Sequence, residues 1–220
     1  DSISHISGGI DSYYEYLLKS ARLFDDKEIE TMWQTSIKAL NKHLAEEVPS
    51  GIWYGYVNMN TGERVATRIG SLDAFFPAVL ALSGDLNRAK KLQESAYKMW
   101  TTHGIEPEEI DYVTIKITYD GYNLRPEIIE SAYYLYSMTK DPRYLEMGNT
   151  FLDSLIRYCK TDAGYAALSS VEKKEKKDDM ESYFLAETLK YLYLLFAPQE
   201  TLDLPKVVFN TEAHPIRKDW

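Results

Sequence analysis

Arg125-Pro126-Glu127-Ile128-Ile129-Glu130-Ser131-Ala132-Tyr133-Tyr134-Leu135-Tyr136 is the stretch on which the reading of this chain turns. Pro126 suits the first position of a helix, where a missing N–H costs nothing. Glu127 and Glu130 then share one face of the first turn. The helix dipole and the Arg125 guanidinium both favour their charged forms, so the sequence predicts two ionised carboxylates. The apolar and aromatic run behind them reads as buried. Two acids at the mouth of a buried helix suit a general base or the holding of a cation.

The design recurs. Asp11-Ser12-Tyr13-Tyr14-Glu15-Tyr16-Leu17 and Glu181-Ser182-Tyr183-Phe184-Leu185-Ala186-Glu187 repeat it, and Ser71-Leu72-Asp73-Ala74-Phe75-Phe76 is a looser copy. One acid at a helix start is an ordinary cap. Four, on alternate predicted helices, imply parallel inner helices with their N-termini at one end of a barrel.

Outward from these starts, periodicity and breakers predict seven helices. They run over 11–24, 27–47, 71–83, 86–103, 126–139, 141–159 and 179–196. Ile52 to Val57, a turn at Asn58 to Gly62, and Glu63 to Thr67 read as a β-hairpin. Short extended pieces are expected at 112–119, 164–168 and 204–209. The charged run from Glu172 to Asp179 reads as a solvated loop, and Asp120 as a solvated acid. Tight links alternate with long loops that lead into the acid-bearing helices. The fold class is therefore all-α, an α/α barrel with β-hairpins in its loops, in one domain over residues 1–220.

Composition narrows the function. The 220 residues are enough for a sizeable core, with 45% hydrophobic residues and 18 tyrosines. A net charge of −9 speaks against nucleic acid and anionic membranes as partners. No stretch approaches the roughly 20 apolar residues that span a bilayer. The single cysteine, Cys159, excludes an intrachain disulfide and a thiolate zinc site and reads as a core thiol. The absence of an Asn-x-Ser/Thr sequon tilts away from the endoplasmic reticulum.

The segments 11–19, 125–131, 180–191 (Met-Glu-Ser-Tyr-Phe-Leu-Ala-Glu-Thr-Leu-Lys-Tyr) and 209–215 (Phe-Asn-Thr-Glu-Ala-His-Pro) resemble the class I α-1,2-mannosidases of glycoside hydrolase family forty-seven. The resemblance implies an (α/α)7 barrel, of which this chain is similar to the C-terminal half, with the N-terminal half as its partner. It also implies a bound calcium ion and inverting release of α-1,2-linked mannose from oligosaccharides. On the matched positions, Glu127 is similar to the general base and Asp11 to a second carboxylate considered for that role. Arg125, Tyr183, Glu187 and Asp73 fall in the substrate site. Thr211 is similar to the direct calcium ligand, with Glu130, Glu187 and Glu212 holding the ion's waters.

Three departures stand out. Gly9 and Ala74 replace an Arg and a His that the endoplasmic reticulum processing enzymes carry, and Tyr183 replaces a Phe. Residues 68–77 instead resemble the degradation-enhancing mannosidase-like branch and bacterial members, so a periplasmic or secreted protein is favoured, with the secretory pathway as the alternative. No motif for the general acid is present. A mannose-binding module without hydrolysis is the competing expectation.

Overall fold

The computed structural model describes residues 2–218. Seven α-helices carry it: α1 (Asp11–Phe24), α2 (Lys27–His43), α3 (Phe76–Ser83), α4 (Leu86–His103), α5 (Glu127–Thr139), α6 (Arg143–Ser154) and α7 (Leu189–Phe196). A 3-10 turn, Ser71–Phe75, leads into α3, and a π turn, Phe184–Thr188, leads into α7.

The helices pack as pairs, α1 with α2, α3 with α4, and α5 with α6, while α5 also lies between α3 and α7. This sorts an inner row, α1, α3, α5 and α7, from an outer row. Burial agrees: Phe76 to Ala81 of α3 and Ile128 to Leu135 of α5 are all buried, whereas α2 buries only Trp33, Ile37 and Leu40. Side-chain staples register the inner row. Ser131 Oγ donates to the Ala74 carbonyl at 2.6 Å and accepts from the Ala78 N–H at 3.1 Å. Gln93 of α4 donates to the Ile128 carbonyl, and Thr188 to the Leu124 carbonyl.

Twelve short strands, β1 to β12, lie in the connections among the described residues. The expected hairpin is present as β4 (Tyr56–Asn58) on β5 (Arg64–Ala66), joined by β1 (Ile3–Ser4). A second hairpin, β2 (Ala45–Val48) on β3 (Gly51–Tyr54), takes residues that the sequence assigns to the end of helix two. Glu46 and Glu47 are good helix formers, but tertiary partners decide. Glu46 accepts the Tyr112 hydroxyl at 2.6 Å and pairs with Arg64 at 3.3 Å.

The long loop before α5 forms β7 (Glu109–Asp111) and β8 (Lys116–Tyr119), with β6 (Arg68–Gly70) paired to β7. The charged run folds back as β9 (Leu168–Ser170) on β10 (Glu175–Lys176). Asp120 corrects its sequence reading: it is half-buried and accepts from Ser170 Oγ and the Val171 and Glu172 N–H groups. Burial would raise its carboxyl, but those hydrogen bonds prevail and hold it below the usual range. The last segment is a hairpin, β11 (Val207–Phe209) on β12 (Pro215–Arg217), with Asn210 to His214 at its tip. Phe209 packs among Tyr133, Tyr134 and Tyr191 and seats the hairpin against α5 and α7.

Candidate active site

The acids of the alternate helices meet at one end. Asp11 opens α1, Asp73 lies in the turn before α3, Glu127 opens α5, and Glu187 lies in the turn before α7. Their charges act on one another in sequence: Asp11 on Asp73, Asp73 and Glu127 on Glu106, and Glu187 on Glu127. Glu181 stays exposed outside this row.

At the centre, Arg125 is clamped by Glu108. The guanidinium donates three hydrogen bonds of 3.1 to 3.3 Å to the Glu108 carboxylate. The Asn123 N–H donates to the same carboxylate at 2.8 Å. Burial would lower Arg125, yet Glu108 and Glu127 outweigh it and fix the positive charge. The Arg125 guanidinium lies 5.4 Å from the centroid of the Tyr183 ring, and the Tyr183 hydroxyl donates to the Asn123 carbonyl at 2.8 Å. The Tyr that replaces Phe thus ties the turn before α7 to the loop before α5.

Glu127 stands at the first helical position, with Pro126 as the flanking residue. Here the structure corrects the expected ionisation. Burial pushes the Glu127 carboxyl up to about 8, against the pull of Arg125. Its Oε2 is enclosed with no hydrogen-bond partner. Desolvation outweighs the helix dipole because the dipole contributes about 1 kcal/mol while enclosure acts on the whole charge. Asp73 is likewise raised to about 7 by burial, although its Oδ2 accepts from the Gly70 N–H at 2.6 Å.

The other acids lie toward α1, α7 and the hairpin tip. Glu130 is buried, accepts the Tyr191 hydroxyl at 3.1 Å, and lies 3.9 Å from Lys19 Nζ. Lys19 is itself buried and donates to Glu15 one turn earlier. Burial raises Glu130, and Lys19 pulls it back. Glu187 is pushed up to about 8 by burial and by the charges of Glu130, Glu212 and Glu15. Thr211 and Glu212 are exposed at the hairpin tip, where the Thr211 N–H donates to the Tyr16 hydroxyl and Lys190 holds the Ala213 carbonyl. Glu130, Glu187 and Glu212 outnumber the cations beside them, Lys19 and Lys190, and with the exposed Thr211 they offer oxygen donors of the kind a hard divalent ion takes. Among the described residues no three His, Cys, Asp or Glu side chains converge to ligate an ion directly. A site there would therefore lean on hydroxyl, carbonyl and water oxygens.

Sequence reasoning passed over Glu106, Glu108, Glu15 and Lys19. Glu15 and Lys19 carried a usable signal, being an i,i+4 charge pair on a helix that reads as buried. Glu106 and Glu108 flank Pro107 in a loop, and no periodicity applies there.

An inner row of helices with acids at its mouth and hairpins in the loops is the architecture of an α/α-barrel glycosidase. The sequence matches the profile of glycosyl hydrolase family 47 over residues 1–218, and the chain belongs to that family. Alpha-mannosidase I MNS4 of Arabidopsis thaliana is 39% identical over 95% of this chain and 34% of that protein. ER degradation-enhancing alpha-mannosidase-like protein 1 of Schizosaccharomyces pombe is 37% identical over 96% of this chain and 27% of that protein. The structure of an α-1,2-mannosidase from Trichoderma reesei superposes with a TM-score of 0.86 at 26% identity, over 99% of this chain and 53% of that one. A D-mannose isomerase superposes with a TM-score of 0.70 at 17% identity, a likeness of fold alone. The fold is accordingly that of the (α/α)7 barrel. The chain spans about a third of the length of such curated relatives. The degradation-enhancing side of the resemblance has support among them, and the bacterial side draws none.

Proposed function

We propose that this chain contributes the general-base side of a site that removes α-1,2-linked mannose from oligosaccharides with inversion and with calcium bound. The observation that carries the reading is Glu127, enclosed at the start of α5 beside the clamped Arg125–Glu108 pair, in a chain of family 47. In an inverting reaction the base removes a proton from water as the water oxygen bonds to the anomeric carbon, and the leaving oxygen departs on the opposite face. Glu127 takes that proton, with Asp11 as the second candidate. A carboxyl that titrates near neutrality is well matched to such a transfer. Arg125, Tyr183, Asp73 and Glu187 surround it as sugar-site groups that orient the substrate.

Thr211, with Glu130, Glu187 and Glu212 through waters, would hold the calcium ion, which when bound supplies positive charge to fix the sugar's hydroxyls and the attacking water. The acid that protonates the leaving oxygen, roughly 6.5–9.5 Å from the base in inverting enzymes, belongs in this reading to the N-terminal half of the barrel.

The test is mannose release from an α-1,2-mannobiose by the full-length protein, with calcium and with chelator. Glu127→Gln is expected to lower turnover on the order of 10²–10⁴-fold and to leave binding of a mannose analogue largely intact. Near-parental turnover moves the base role to Asp11. Sugar binding without release under any condition replaces the hydrolase by the mannose-binding module.

A further inference from the structure

Glu106 is the one acid in the site with no assigned work, and its surroundings are unusual. It lies between α4 and β7, is wholly buried, and neither carboxyl oxygen has a hydrogen-bond donor. A buried ionised carboxylate without a donor or counter-ion is among the costliest groups a fold can hold. The nearby cation gives only partial relief, because the Arg125 hydrogen bonds go to Glu108 and its charge acts on Glu106 behind those of Glu127 and Glu108. The groups that act on Glu106 are Glu127 first, then Glu108, Arg125 and Asp73. The phenol of Tyr122, also fully buried, feels the same carboxyls.

Charge bookkeeping follows directly. Arg125 and Glu108 cancel, which leaves the wholly buried Glu106 under the charge of the half-buried Glu127, and neighbouring carboxyls so poorly solvated resist ionising together. The remaining negative charge belongs to Glu127. It stands at the helix start, which Glu106 does not, and Arg125 is the leading charge acting on it, whereas Arg125 acts on Glu106 only behind Glu127 and Glu108.

We propose that Glu106 is a positioning residue that stays protonated across the neutral range, so that Glu127 is the only carboxylate of the pair and is free to act as base. The proposal rests on the reading of Glu127 as the base. Glu106 itself touches no substrate: its full burial keeps it behind the reacting atoms. Its neutral form removes a negative charge that would otherwise hold Glu127 protonated and idle.

The test uses the full-length protein and two readouts. Infrared spectra of the parent are expected to keep the carbonyl band of a protonated carboxylic acid as pH is raised past neutrality, and the part that disappears on replacing Glu106 is the part this residue contributes. Glu106→Gln, neutral and nearly isosteric, is expected to lose that part. The acid limb of the same variant's kcat/KM profile is expected to move by less than about one pH unit, since glutamine keeps the neutral state. If Glu106 were ionised, its removal would relieve repulsion on Glu127 and shift that limb to lower pH by more than about one unit. That shift, or a parent spectrum without the band past neutrality, overturns the proposal. If the glutamine variant does not fold, Glu106→Met and the parent's own band decide the matter. Failure of the base assignment is a separate result: Glu127→Gln then keeps its turnover while the Glu106 band remains.

Discussion

At the scale of single residues, the site is a set of charges that are either clamped or suppressed. The Arg125–Glu108 pair is the clamped kind, and both side chains are mostly buried. Removing one partner strands the other, so Glu108→Ala is expected to destabilise by about 3–5 kcal/mol, read as a shift of the urea midpoint, while Glu108→Gln costs less because its oxygen still accepts. A midpoint unchanged in Glu108→Ala would mean the pair is solvated. Asp73 is the suppressed kind. Its carboxyl is raised from the ordinary 3.8 to about 7, so the folded state holds its proton more tightly than the unfolded chain. The stability this gives is fully present below the unfolded value and is lost as pH rises through about 7. Melting temperature is expected to fall between about pH 4 and 7, and Asp73→Asn, which still offers an acceptor to the Gly70 N–H, is expected to flatten that slope. An unchanged slope would place the titration elsewhere. Sequence alone missed this suppression. The dipole and Arg125 are visible in the letters Arg-Pro-Glu, but enclosure comes from α3, α4 and the loop around Glu106, which the letters do not bring together.

At the scale of elements, strong periodicity was legible and partner choice was not. The stretches 11–24 and 86–103 read as helices from their apolar spacing and flanking caps, and the structure has α1 and α4 over those residues. The β2–β3 hairpin was hidden because Glu46 and Glu47 read as helix, and only their pairing with residues far along the chain shows otherwise. The β11–β12 hairpin was seen as a single strand, since Pro215 reads as a breaker and the tip is set by Asn210, whose Oδ1 accepts from the Glu212 and His214 N–H groups. The convergence of four acid-bearing starts was legible from their recurrence alone. What holds those starts in register is side-chain stapling, and Ser131 is the clearest case. Ser131→Ala fits the space but leaves the Ala74 carbonyl and the Ala78 N–H without their partner. A loss of about 2–6 kcal/mol is expected, at about 1–3 kcal/mol for each of the two buried groups, or very roughly 4–24 °C in melting temperature for a chain of this size. A shift under about one degree would show that α3 does not depend on the staple.

At the scale of the whole molecule, the inner row has two open ends. α5 is flanked on both sides and α3 is buried, whereas α1 and α7 terminate the row. Both ends carry exposed large apolar side chains: Tyr13, Tyr16 and Phe24 on α1, Leu185 in the turn before α7, and Tyr193 and Phe196 on α7. Apolar faces of this kind mark surfaces that another element covers, and in relatives of about three times this length there is chain enough to do so. The sequence holds no motif for the general acid, and it predicts Glu127 and Glu130 ionised, which would bar both from that role. The second ground falls with their raised carboxyls, and a geometric one replaces it. The acid partner has to reach the glycosidic oxygen, yet Glu106, whose carboxyl burial raises well above the usual range, is wholly enclosed, and Glu127 is committed to the water. The 220 residues on their own are therefore expected to release no mannose from an α-1,2-mannobiose and to self-associate as concentration rises, by sedimentation velocity. Supplying the N-terminal half of a family 47 barrel, in cis or in trans, is expected to restore turnover and to suppress the self-association together, since one surface serves both. Turnover by the chain alone at the rate of a full-length relative would show that an accessible acid lies within it and that the open ends of the row have no part in catalysis.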